Sequence, residues 1–188
     1  MEAQINQLQE FLVQSTERPY NSFTVIDNFA DLSTFNIDQL KSYTKKFGKP
    51  IIQQEDGTND LKRIMYTIDG GRKTSSALSG VQELFSKVTN LFNTGSDILW
   101  ERKGSLLLSL DDCMRQSMHA DNPIDSEEGL DKAFNSSFIC ILALEENTYL
   151  YKYDNDLRTE SKVYVAPGSL FIGRGIFNII ILLVRKYI

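Results

Sequence analysis

The chain has 188 residues, 41% of them hydrophobic, and a formal charge of −5. That is enough apolar material for one globular domain with a real core, and the acidic balance argues against a protein that lives on nucleic-acid backbones. Its two cysteines, Cys113 and Cys140, have neither the number nor the spacing of a disulfide framework or a zinc site.

The N-terminal stretch "MEAQINQLQEFLVQSTERPY" is polar, without the basic and apolar regions of a secretory signal. An intracellular protein, cytoplasmic or nuclear, is therefore expected. Within that stretch "INQLQEFLV" reads as a short amphipathic helix, and "SFTVI" after it as a strand. "NIDQLKSYTKKFG" places Ile37, Leu40 and Tyr43 on one helical face and stops at Gly48, before Pro50. "RIMYTI" reads as a strand. "DGGRKTSS" has the look of a phosphate loop, but Arg72 stands where a glycine is required and the first glycine is misplaced, which rejects it. The strongest helical pattern is "SALSGVQELFSKVTNLF", where Leu78, Val81, Leu84, Phe85, Val88, Leu91 and Phe92 recur at helical spacing, a stripe that predicts core packing.

The rest reads as short strands: "DILWE", "GSLLLSL", "SFICILAL", "TYLYKY", "KVYV" and "SLFIG". Turn signals such as "RKG", "ENT", "DNDL" and "APG" separate them, with no helices between. A helical N-terminal half followed by closely spaced strands predicts an α+β, mainly β chain, built as an antiparallel sandwich or a rolled double sheet of the jelly-roll type. Trp100 is expected in the core. Tyr149, Tyr151 and Tyr153 alternate with Leu150, so the tyrosines share one strand face, either exposed or lining a pocket. The triplet Asn135-Ser136-Ser137 matches a glycosylation sequon and, without a secretion route, reads as a turn. Lys and Arg are scattered apart from "TKKFGK" and "ERKG", so no nucleic-acid patch emerges, and no transmembrane segment is expected.

One histidine exists in the chain, His119 in "RQSMHAD". On an extended strand, residues two apart face one side, so the His119 imidazole and the Asp121 carboxylate can converge on one cation. Completed by a second histidine, that pair makes the facial triad of non-haem Fe(II) oxygenases. The alternative reading is a surface or hydrogen-bonded histidine beside an aspartate. The long acidic loop "ADNPIDSEEGLDKAFNS" follows, and such loops often carry binding residues. A Ser-His-Asp hydrolase fares worse, because His119 and Asp121 are awkwardly close and no Gly-x-Ser-x-Gly elbow exists. Cys113 and His119 could share a side as a nucleophile pair, against the reading of Cys113 as a buried structural cysteine.

Residues 97 to 175 resemble the double-stranded β-helix of the 2-oxoglutarate- and Fe(II)-dependent oxygenases, in particular protist members. Cys113, Gln116, His119 and Asp121 fit a Cys-x-x-Gln-x-x-His-x-Asp pattern, and Ala143, Leu144 and Thr148 fit an ALxxxT-like run. The resemblance implies that His119 and Asp121 are metal ligands. It also implies Fe(II) and 2-oxoglutarate as cofactors, and hydroxylation of a small-molecule or macromolecular substrate.

In such proteins a "GSLFIxRG" segment leads into Gly-Asp-x-x-His, which supplies the distal ligand, and a downstream basic residue binds 2-oxoglutarate. Here Ile176 and Ile179 stand where Asp and His are required, and Arg185 is a poor anchor so near the end. Asp125 or Glu127 could complete a two-ligand site. The apolar tail "IFNIIILLVRKYI" is too short for a membrane span and is rich in residues of AT-rich codons. It predicts a coding sequence that leaves frame or runs into an intron after Gly175, against a rival of a real, degenerate C-terminus.

The expected organisation is a single domain with three parts: a support region over 1–95, a double-stranded β-helix (jelly-roll/cupin-like) over 96–175 with the N-terminal helices outside, and the atypical tail over 176–188, C-terminally incomplete. The expected function is an Fe(II)/2-oxoglutarate oxygenase-like protein, or else a non-catalytic β-barrel binding module or pseudoenzyme. A chain lacking its last strands could also fail to fold stably, its open edges and apolar tail then favouring aggregation.

Overall fold

The computed structural model describes residues 2–17, 23–52, 59–69, 78, 80–93, 103–110, 138–154, 159–174 and 179–185. Helix α1 (Glu2–Glu17) is followed by strand β1 (Phe23–Ile26), a 3-10 turn over Leu32–Thr34 and helix α2 (Ile37–Phe47). Strands β2 (Lys49–Ile52) and β3 (Asn59–Asp69) precede helix α3 (Val81–Asn93). Strands β4 (Lys103–Ser109), β5 (Phe138–Ala143), β6 (Thr148–Asp154), β7 (Thr159–Val165), β8 (Leu170–Arg174) and β9 (Ile179–Arg185) complete the chain. Among the described residues, more lie in strands than in helices, and the chain mixes the two.

Local chemistry explains the helix limits. The Asn36 side chain accepts a hydrogen bond from the Gln39 amide at 2.9 Å and caps α2. Lys45 and Lys46 in its last turn oppose the helix dipole, and the Gly48 amide donates to Thr44 O at 2.8 Å. Gly48 is required by space: a Cβ there would stand 2.6 Å from Ile64 Cγ2. Helix α3 begins at Val81, later than its apolar pattern suggests, because Gly80 takes a positive φ of 88° just ahead of it. Leu78 therefore precedes the helix, yet it is buried in the same core.

Seven strands form one sheet in the order β1-β8-β5-β9-β4-β3-β2, and β6 and β7 form a second, two-stranded sheet. Alternation divides the large sheet into two faces. Ile26, Ile172, Phe138, Cys140, Leu142, Leu106, Leu108 and Ile68 point to the helices and join Leu8 and Phe11 of α1, Leu40 of α2 and the apolar stripe of α3 in one buried cluster. Gln7 ties α1 to β1, its Nε2 donating to Thr24 Oγ1 and to Val25 O at 2.8 Å. The opposite face carries Val25, Ile139, Ile141, Leu107 and Ser105, with Phe23 and Phe171 stacked at 5.4 Å.

The antiparallel pairing expected of the strands holds over β5 to β8. Strand β5 pairs antiparallel with β8 in the large sheet, and the two strands between them in sequence pair antiparallel with each other in the small one. Two departures stand beside this. Strand β2, with Lys49 and Pro50, forms the sheet edge, where a proline and a charged residue discourage further pairing. Strand β9, drawn from the apolar tail, occupies the middle of the sheet and runs parallel to both β4 and β5, so the sheet is mixed and not antiparallel throughout.

Candidate functional site

The residues singled out by the sequence fall into two groups. His119 and Asp121 lie outside the described residues, as do Cys113, Gln116, Asp125 and Glu127, all within 111–137, and so do Trp100 and Ile176. The described strands fix the points where that segment leaves and returns. Leu110 donates its amide to Lys62 O at 2.8 Å, just after Ser109 pairs with Arg63 of β3 and Arg185 of β9. Phe138 is paired with Arg174 at the start of β5. Because β4 and β5 both run parallel to β9, these two points lie at opposite ends of the sheet. Ile179 opens β9 in register with Ile139.

The second group is described and has a local structural role. Ala143 is the last residue of β5, fully buried, and Leu144 packs into the helix-side core. Gly168 donates its amide to Ala143 O at 2.8 Å, and Ala143 donates its own to Ser169 O at 3.2 Å. Thr148, also buried, donates its hydroxyl to Glu145 O at 3.0 Å and closes the turn in which Asn147 has a φ of 58°. The "ALxxxT" run and the "PGS" before β8 are thus the two facing bends at which the ribbon passes from the large sheet to the small one. Ser169 adds a hydrogen bond from Oγ to Asp27 Oδ1 at 3.1 Å, and Ala30 donates its amide to Gly168 O at 2.9 Å.

A polar contact that sequence reasoning missed sits beside these bends. Lys41 of α2 pairs with Glu145 Oε1, both side chains about four-fifths buried, and Glu145 Oε2 is buried with no hydrogen-bond partner. The two residues are 104 positions apart, so no local pattern announces the pair. Tyr43 and Tyr66 bring their hydroxyls to 3.3 Å, and that hydrogen bond, with burial behind it, raises the Tyr43 pKa above the ordinary tyrosine value. Burial pushes the Cys140 thiol well above its usual range, so it stays protonated and unreactive in the folded chain.

The tyrosine strand faces outward. Tyr151 is 40% exposed and Tyr164 of β7 45%, while Thr148 and Val165 on the reverse side are buried. Tyr149 packs on Tyr164 at 5.3 Å, Lys162 Nζ lies 3.6 Å from the Tyr149 ring centroid, and the Tyr164 hydroxyl donates to Glu146 Oε2 at 2.6 Å. Among the described residues, no three side chains of His, Cys, Asp and Glu come together as a metal site. No family model, curated protein or solved structure matches the chain. No helix among the described residues is long and apolar enough to cross a membrane.

Proposed function

We propose that this chain carries an oxygenase-like domain of the double-stranded β-helix type, in which His119 and Asp121 are metal ligands. Intact members of that class use Fe(II), oxygen and 2-oxoglutarate to hydroxylate a substrate. The observation that carries the reading is the nested ribbon: β5 pairs with β8, β6 pairs with β7, and one of the bends between the two pairs holds Ala143, Leu144 and Thr148 of the ALxxxT-like run. This nesting of one antiparallel pair inside another is what the inner half of a jelly roll requires, and it supports the reading.

The donor set in this chain stops short of a facial triad. His119 is its one histidine, and only carboxylates such as Asp125 and Glu127 are near enough in sequence to complete a site. This supports a second reading, a pseudoenzyme or binding module on the same scaffold. Its supporting observation is β9, which fills the sheet between β4 and β5 with a parallel apolar strand where the family pattern would bring the distal histidine.

Anaerobic titration of Fe(II) or Mn(II) into the purified protein, followed by 2-oxoglutarate, separates the two. A metal-to-ligand absorption band, succinate release and loss of both in His119→Ala support the oxygenase. Metal binding lost in His119→Ala without succinate release supports the pseudoenzyme. No binding at high micromolar metal overturns the assignment of His119 and Asp121 as ligands.

A further inference from the structure

No further inference is drawn: the strongest candidate, the outward aromatic face of the β6–β7 hairpin formed by Tyr149, Tyr151 and Tyr164, carries nothing because Lys162 and Glu146 already make their contacts within the face and nothing in the structure shows what covers it.

Discussion

Gly168 and Ala143 meet backbone to backbone, the glycine amide donating to the alanine carbonyl at 2.8 Å. With the Ala143 amide donating to Ser169 O at 3.2 Å, this contact ties the bend that leaves β5 to the bend that leads into β8. Gly168 has a φ of 80°, and a Cβ on it would stand 2.7 Å from Ala30 O. Backbone strain and a backbone clash act together there. Gly168→Ala is expected to destabilise the fold by about 2 kcal/mol or more in urea unfolding. Asn147, with φ 58°, sits in the facing bend, where Asn147→Gly relieves a left-handed conformation and is expected to be far milder. Equal losses for the two would show that the bends do not define the ribbon.

The Lys41–Glu145 pair joins α2 to the same bend. Both side chains keep about one-fifth of their surface exposed, so solvent screens the attraction, and a double-mutant cycle is expected to give a coupling of about 1 kcal/mol. The single changes should differ. Lys41→Met leaves a largely buried carboxylate with neither oxygen paired, whereas Glu145→Gln keeps an acceptor for the lysine. Lys41→Met is therefore expected to cost more. Chemical denaturation of the two single variants and the double variant gives all three numbers.

Phe138 stands between α1 and α3, with its ring centroid 6.1 Å from Phe11 and 5.5 Å from Phe92. It is fully buried, so Phe138→Ala is expected to cost about 3–5 kcal/mol, the range for removing a buried aromatic ring. Phe47 is 51% exposed at the end of α2 and packs mainly on Tyr43, so Phe47→Ala is expected to cost about 1 kcal/mol or less. Thermal melts of the two variants side by side test whether the core lies on the helix side of the sheet.

Cys140 offers a pH test of the same core. Its thiol is held protonated by burial, so the folded pKa lies above the unfolded one. The corresponding stability is fully present below the unfolded pKa of about 8.5 and falls as pH rises beyond it, because the unfolded chain alone then gains from ionising. In a Cys113→Ser background, Cys140 is expected to resist a thiol reagent at pH 8 until urea is added. The stability advantage of that protein over its Cys140→Ala derivative should shrink between pH 7.5 and pH 9.5. Fast labelling of the folded protein would overturn the buried assignment.

The elements legible in the sequence are those whose stabilising interactions are local. Helix α2 is bounded by Asn36 and Gly48, and α3 by its apolar stripe, while β4 to β8 alternate or carry turn residues at their ends. Helix α1 runs longer than its apolar pattern, and among its described side chains Leu8 and Phe11 are buried in the core. Strand β2 has no sequence signature, because four residues containing a proline give no periodic signal. The candidate site divides the same way. The bend residues are explained by contacts across the ribbon, and the Lys41–Glu145 pair depends on a meeting between distant parts of the chain that composition and spacing do not encode.

Strand β9 is the sharpest test of how the chain is assembled. Its sequence "IIILLVR" is apolar as far as Val184, which is what a parallel strand in the middle of a sheet requires and what an isolated tail would also show. Leu182 is in register with Leu106 of β4 on one side and Leu142 of β5 on the other. A proline there removes a ladder donor from a strand paired on both flanks, where proline is not tolerated, in contrast to Pro50 at the sheet edge. Leu182→Pro is expected to lower the melting temperature by about 6–12 °C, the shift that a loss of about 3 kcal/mol gives in a domain of this size. Pro50→Ala should leave the melting temperature within about 2 °C of the parent. If Leu182→Pro also melts within that margin, β9 does not belong to the sheet, and β4 and β5 must find another partner.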